Sequence, residues 1–228
     1  MPRVLDPASH AVRRDAFVEA GQRLIATKGY ERLNVQDVIA AVGASKGAFY
    51  HYFASKEALL EAVVEKVGDG ALAAAAPIVA DPALGAVEKL ERLFATMARF
   101  KSSRKDLVLG LLDVWLSNDN AIFREKVRRS GIDRMAPVLA AIIRQGNATG
   151  EFRTGPPDET ARVLIALMIT SNEDLADMVV RGQRQPVPLE VVERTLDAYR
   201  AALERILGVP PPRRLVIMDP ETIRFWFA

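Results

Sequence analysis

The chain of 228 residues is 50% apolar and 26% charged, which suffices for a packed core in one or two domains. It has no cysteine and only two histidines, His10 and His51, which excludes a disulfide framework and a thiolate metal site and leaves too few imidazoles for a zinc enzyme. No window reaches the roughly 18–20 uninterrupted apolar residues of a membrane span, and the start has no signal-peptide core, so a soluble cytoplasmic protein without membrane contact is expected.

The net charge of +2 is unevenly spread. Residues 1–56 hold eight Lys and Arg against five Asp and Glu, and the remainder holds 23 against 24. A basic end on a neutral body suits a local polyanion site. Residues 1–9 contain two prolines and read as a flexible arm, with Arg3, and Arg13 and Arg14 beyond it, offered to phosphate or a minor groove. A first helix is predicted over 11–28, lined on one side by Phe17, Ala20, Leu24 and Thr27 and ended by Gly29. Asn34 is a suitable N-cap for a second helix over Val35–Val42, since its side-chain oxygen accepts from an orphan backbone N–H. Val35, Val38, Ile39 and Val42 recur at helical spacing and give it one apolar face. Gly43 suits a left-handed helix end, and Ser45 caps a third helix over 46–53. Helix, three-residue turn containing glycine, helix is the helix-turn-helix pattern.

The third helix resolves into two faces. Phe49 and Phe53 point the same way with Tyr52 beside them; Gly47 and His51 stand opposite, flanked by Ala48 and Tyr50. Small residues at the N-terminal end allow close approach to a groove floor, and that end carries the dipole favourable to phosphate. Tyr50, His51 and Lys56 place donors further along, where a DNA backbone runs.

Four strings in this stretch are more specific: Ala40-Ala41-Val42-Gly43, Ser45-Lys46-Gly47, Tyr50-His51-Tyr52-Phe53 and Ser55-Lys56-Glu57-Ala58-Leu59. With Gly29-Tyr30 upstream, they closely resemble the DNA-binding domain of the TetR-type transcriptional regulators over roughly the first 65 residues. Asn34 departs from the family's usual threonine but still caps, and Ala44 stands where valine is frequent. The resemblance implies an all-α protein: a three-helix helix-turn-helix domain over 1–56, then an effector-binding and dimerisation bundle over 57–208, with 209–228 as an extension. It implies DNA contact through Asn34, Ser45, Lys46, Gly47, Ala48, Tyr50, His51 and Lys56. Since Gly47 and Ala48 offer no side-chain hydrogen bonds, base readout would rest on Lys46, apolar contact with a thymine methyl, and DNA shape.

Beyond Lys56 a helix is expected to about residue 76, with Leu59, Leu60, Val63, Val64 and Val67 on its apolar side. Gly68 and Gly70 in its interior each cost about 1 kcal/mol against alanine. Pro77, Asp81, Pro82 and Gly85 read as a connection. Helices follow over 84–100 and 106–116, the latter nearly all apolar and so expected to be central. Another begins near Asn120 and is expected to break or bend near Gly131 and Pro137. Phe152 opens a loop, Asp158 caps a long helix to about 181, and the last regular helix covers 189–207. No β-period alternation builds a sheet.

The body invites an apolar cavity, for which Met97, Phe100, Leu112, Trp115, Leu116, Met168 and Met178 are candidates, with Asp113, Asn118, Ser171, Asn172 and Asp174 as orienting groups. The expected effector contacts are Met97, Phe100, Trp115, Asn118, Met168 and Asn172. The resemblance supplies the small hydrophobic effector itself, and a homodimer formed through the helices at about 158–181 and 189–207. Two heads would then face successive major grooves of a palindromic operator. The C-terminal clusters around Leu215 and Phe225 are expected to pack back on the body or cross to a partner, or to close over the cavity as a lid. The leading reading is a repressor released from DNA by its ligand. An enzyme or carrier with a vestigial head is disfavoured, because no nucleophile–base pair, metal-ligand spacing or phosphate-cradling loop is present and no cofactor is implied. A partner-binding helical scaffold is the remaining alternative.

Overall fold

A computed structural model describes residues 7–117 and 120–227 and gives an all-α fold. The helices are α1 (Pro7–Lys28), α2 (Val35–Val42), α3 (Lys46–Tyr52), α4 (Lys56–Ala80), α5 (Ala86–Ser102), α6 (Lys105–Leu116), α7 (Ala121–Thr149), α8 (Pro157–Gly182), α9 (Leu189–Leu207) and α10 (Pro220–Phe227). They divide into two compact units, one of residues 1–70 with 104–127 and one of 71–103 with 128–228. The boundaries differ from those expected at residue 56: α6, the start of α7 and more of α4 join the N-terminal unit. Arg3 and Asn118, and the side chain of Asp113, lie outside the described residues.

The N-terminal unit is built around aromatic and branched side chains. Phe17, Val38, Phe49, Phe53, Leu59 and Val63 are buried together, joined by Leu107 and Val114 of α6. Three of the rings meet edge-on or tilted: Phe17–Phe49 at 5.7 Å, Phe49–Phe53 at 5.7 Å and Phe17–Phe53 at 6.2 Å between centroids, arrangements that add to simple area burial. Helix α6 is drawn in by Gly110. A Cβ there would stand 2.3 Å from the Ile25 carbonyl oxygen, and the Gly110 carbonyl accepts from Tyr30 N–H at 3.2 Å. No side chain larger than hydrogen fits that approach.

In the second unit, Leu90, Leu93, Leu139, Ile143, Leu164 and Leu207 belong to one buried cluster. Neither interior proline ends its helix. Helix α4 continues through Pro77 to Ala80; Pro77 forfeits the one bond its missing N–H would give to the Ala73 carbonyl, and beyond it the buried Lys89 donates to the Val79 carbonyl at 2.8 Å. Helix α7 runs unbroken from Ala121 to Thr149 through Gly131 and Pro137. Proline there removes one intrahelical bond, but Ala136, Leu139, Ala140, Ile142 and Ile143 are buried beside it, and that burial outweighs the loss. Helix α5 opens at Gly85, which has no side-chain cap; Glu151 instead accepts from Ala86 N–H at 2.8 Å and Val87 N–H at 3.1 Å.

The C-terminal extension packs back on its own unit. Leu215 is buried and its N–H donates to Glu204 at 2.8 Å, while Val216 N–H donates to Glu91 at 3.1 Å. Asp219 caps α10 through Thr222 N–H at 2.8 Å, and Ile223 enters a cluster with Leu175, Met178, Val192 and Leu196. Trp226 Nε1–H donates to Ser102 Oγ at 3.1 Å.

Candidate nucleic-acid interface

The geometry begins at two caps. Asn34 is extended (φ −120°, ψ 161°), its Oδ1 accepts from Asp37 N–H at 2.9 Å, and Asp37 Oδ2 accepts from Asn34 N–H at 3.0 Å. This reciprocal capping box satisfies two orphan donors at once. Lys28 of α1 pairs with the same Asp37 oxygen. The hydrogen bond from Lys28 and that from Asn34 N–H hold the Asp37 carboxyl below its ordinary value. Gly43 then turns the chain at φ +65°, with Ala44 N–H bonded to the Ile39 carbonyl at 3.1 Å. Ser45 Oγ accepts from Ala48 N–H at 3.1 Å and starts α3.

Helix α3 ends at Tyr52, one residue before the expected end, because Phe53 is extended (φ −135°). Phe49 is fully buried, while Lys46, Gly47, Tyr50 and His51 are exposed and Ala48 is half-buried. The buried ring thus fixes the helix to the core, and the residues opposite it face outward. An exposed helix N-terminus with a cationic side chain, a glycine and ring donors matches phosphate and groove recognition.

The remaining expected contacts are already engaged. Asn34 is exposed, but its oxygen serves the cap. Lys56 is half-buried, with Nζ 4.1 Å above the Tyr30 ring and 3.4 Å from the Glu31 carbonyl. Burial, with Glu57 and Glu31 nearby, holds the Tyr30 hydroxyl well above its ordinary range. One neighbour was not foreseen: the two histidines, 41 positions apart in sequence, meet. The His10 ring is 5.5 Å from His51 and 4.6 Å from Tyr52 between centroids. Only the fold brings the start of α1 to the end of α3, so no sequence signal marks this pairing.

In the second unit a cavity of about 70 Å³ lies among α5, α8, α9 and the extension. Met168 and Asn172 line it, with Phe94, Ser171, Tyr199 and Met218 among the others. Asn172 accepts from Lys101 Nζ at 2.6 Å. Tyr199 donates to Asp174 at 2.5 Å; burial and that bond push its hydroxyl up to about 12. Met97 and Phe100 are half-buried in α5 but do not line this cavity, and Trp115 belongs to the other unit. The extension contributes Ile217 and Met218 to the lining; Phe225–Trp226–Phe227 do not form the lid that was one expectation.

Residues 17–63 match the family described as "Bacterial regulatory proteins, tetR family", and residues 112–191 match "Tetracyclin repressor-like, C-terminal domain". The chain is similar to the HTH-type transcriptional repressor DhaR of Mycobacterium sp. (strain GP1), with 30% identity over 154 residues, covering 67% of this chain and 77% of that protein. The HTH-type transcriptional repressor KstR2 of Mycolicibacterium smegmatis is 32% identical over 96 residues, covering 42% and 45%. In fold the chain resembles Salmonella enterica GusR, with a TM-score of 0.60 and 19% identity over 90% of this chain and 100% of that one. A putative TetR-family transcriptional regulator from Rhodococcus sp. also gives a TM-score of 0.60, with 24% identity over 86% and 99%.

Proposed function

The chain belongs to the TetR family of bacterial regulatory proteins and is a DNA-binding transcriptional regulator; from that premise we propose that it is a repressor acting as a homodimer on a palindromic operator. The observation that carries this reading is the division of α3 between a fully buried Phe49 and an exposed Lys46, Gly47, Tyr50 and His51, behind two capped N-termini. Lys46 reads base edges or phosphate, Tyr50 and His51 donate to the backbone, and Gly47 and Ala48 allow the close approach. Asn34 contributes through its amide nitrogen, Ser45 by holding the helix start, and Lys56 by leaving Tyr30 for a phosphate.

Pairing through α8 and α9 is supported by the outward side of α8, where Arg162, Val163, Ala166 and Thr170 are exposed and Val163 keeps 54% of its surface. The two-fold axis would set the recognition helices one helical turn apart, about 34–36 Å. The effector is a small hydrophobic ligand. Its entry point is the Met168–Asn172 cavity, which at about 70 Å³ is far below the roughly 300–1,000 Å³ of ligand sites. Binding therefore drives the surrounding helices apart, and a dimer with displaced heads loses the operator. The shared repressor description of two relatives supports the direction of control.

Sedimentation of the chain alone and with duplex DNA from beside its own gene tests the assembly. Two chains per duplex, with affinity falling steeply with salt, is the expected result. A monomer in both states, or no binding at any salt, would defeat it.

A further inference from the structure

The second unit carries an open groove of about 530 Å³ where α9 ends and the extension begins. Four arginines line it: Arg153 from the loop before α8, Arg205 from the last turn of α9, and Arg213 and Arg214 just after the three prolines at 210–212. All four are exposed. Neither the fold's core nor the DNA interface uses them.

Their charges are poorly compensated. Among the described residues Arg153 and Arg205 have no ion-pair partner, while Arg213 reaches Glu91 only at 3.9 Å and acts on the Glu151 carboxylate from further off, and Arg214 reaches Asp197 at 3.6 Å. Glu204 is the one carboxylate in the lining, and it is already committed. Both its oxygens accept from Arg200 Nη1 at 3.1 Å, and one also takes Leu215 N–H at 2.8 Å. The negative end of the α9 dipole is capped as well: the carbonyls of Glu204, Arg205 and Leu207 accept from Val209, Gly208 and Arg153 N–H at 3.0, 3.2 and 2.9 Å.

The walls are stiff. Gly208 sits at φ +62°, and a Cβ on it would meet the Arg153 carbonyl oxygen at 2.6 Å, so the loop carrying Arg153 lies directly against the end of α9. Prolines 210–212 fix the opposite side. Guanidinium forks lining one opening are suited to bidentate recognition of phosphate or carboxylate groups, and a bound polyanion would add the opposing charge that the lining supplies only in part.

We propose that this groove is a binding site for a small polyanion bearing at least two phosphate or carboxylate groups. The site is separate from the effector cavity and does not depend on the repressor reading. Calorimetric titration of the full chain with pyrophosphate, and separately with citrate, at matched ionic strength tests it. Saturable binding is expected, and the tighter of the two probes identifies the anionic group. Arg153→Ala with Arg205→Ala removes two side chains whose backbones, not guanidinium groups, hold the local structure; affinity should fall about tenfold or more, with helix content and DNA affinity unchanged. If that pair fails to fold, Arg213→Ala with Arg214→Ala gives the same readout. Absence of saturable binding, or binding unaltered in a folded variant, overturns the proposal. Loss of DNA affinity in place of pyrophosphate affinity also overturns it, since the groove would then serve nucleic acid.

Discussion

Replacing Gly110 by alanine tests how closely α6 rides on the end of α1. The new Cβ would stand 2.3 Å from the Ile25 carbonyl oxygen and 3.0 Å from its carbon. Both are backbone atoms of a helix, so the obstacle cannot rotate away, and α6 must withdraw by about 1 Å to regain ordinary contact. Overpacking of this kind costs about 1–3 kcal/mol. Withdrawal also breaks the Tyr30 N–H bond to the Gly110 carbonyl, worth about 0.5–1.5 kcal/mol. Alanine's better helix propensity returns about 1 kcal/mol. The net expectation is a loss of about 0.5–3.5 kcal/mol, a fall of several degrees in Tm for a chain of this size. Gly131→Ala is the matched control: it is also inside a helix, but its Cβ meets nothing within 4 Å, so it should gain up to about 1 kcal/mol. Thermal unfolding followed by circular dichroism, at one fixed protein concentration because self-association shifts Tm, compares the two. If Gly110→Ala proves as stable as Gly131→Ala, α6 does not rest on the Ile25 carbonyl as closely as the 2.3 Å approach requires.

Three further outcomes are expected. Lys46→Ala should leave Tm unchanged, since the side chain is exposed, but should lower the slope of log affinity against log salt by about 0.9 if it neutralises one phosphate, as read by fluorescence anisotropy. Leu215→Ala empties a side chain that is only 2% exposed and should cost about 2–5 kcal/mol in chemical denaturation; a loss under 1 kcal/mol would mean that the extension is not part of the core. Glu151 is pulled upward by burial, but the N–H groups of Ala86 and Val87, the Thr149 hydroxyl and Arg213 together hold it below its ordinary 4.5. Its contribution is therefore full above the unfolded value and is lost as pH falls through the lower folded one. Glu151→Gln should destabilise the chain at neutral pH and flatten the acid limb of its stability profile below about pH 4.5.

The head was legible because its determinants are local. Asn34, Gly43 and Ser45 act within three or four residues of themselves, and their caps and turn stand as expected. The α3 faces follow from spacing alone, which is why Phe49 is buried and His51 exposed. What escaped depends on distant partners. Gly110 signals a weak helix position in sequence, yet its purpose is the Ile25 carbonyl; His10 meets His51 only through the packing of α1. Proline breaks neither helix, at 77 or at 137, because a break is a local expectation and the surrounding burial is not local. The cavity was harder still. Apolar side chains at helical spacing look alike whether they fill a core or line a space, so Met168 and Asn172 meet there while Met97, Phe100 and Trp115 do not.

Selection from a pool of random duplexes with the full chain bears most directly on the DNA-binding reading. Repeated rounds at moderate salt should enrich an inverted repeat whose half-sites are centred one helical turn, or a multiple of it, apart, and Lys46→Ala should bind that repeat less tightly than the parent. Enrichment of no common sequence, or of a single half-site bound by one chain, would contradict a dimeric operator-binding regulator.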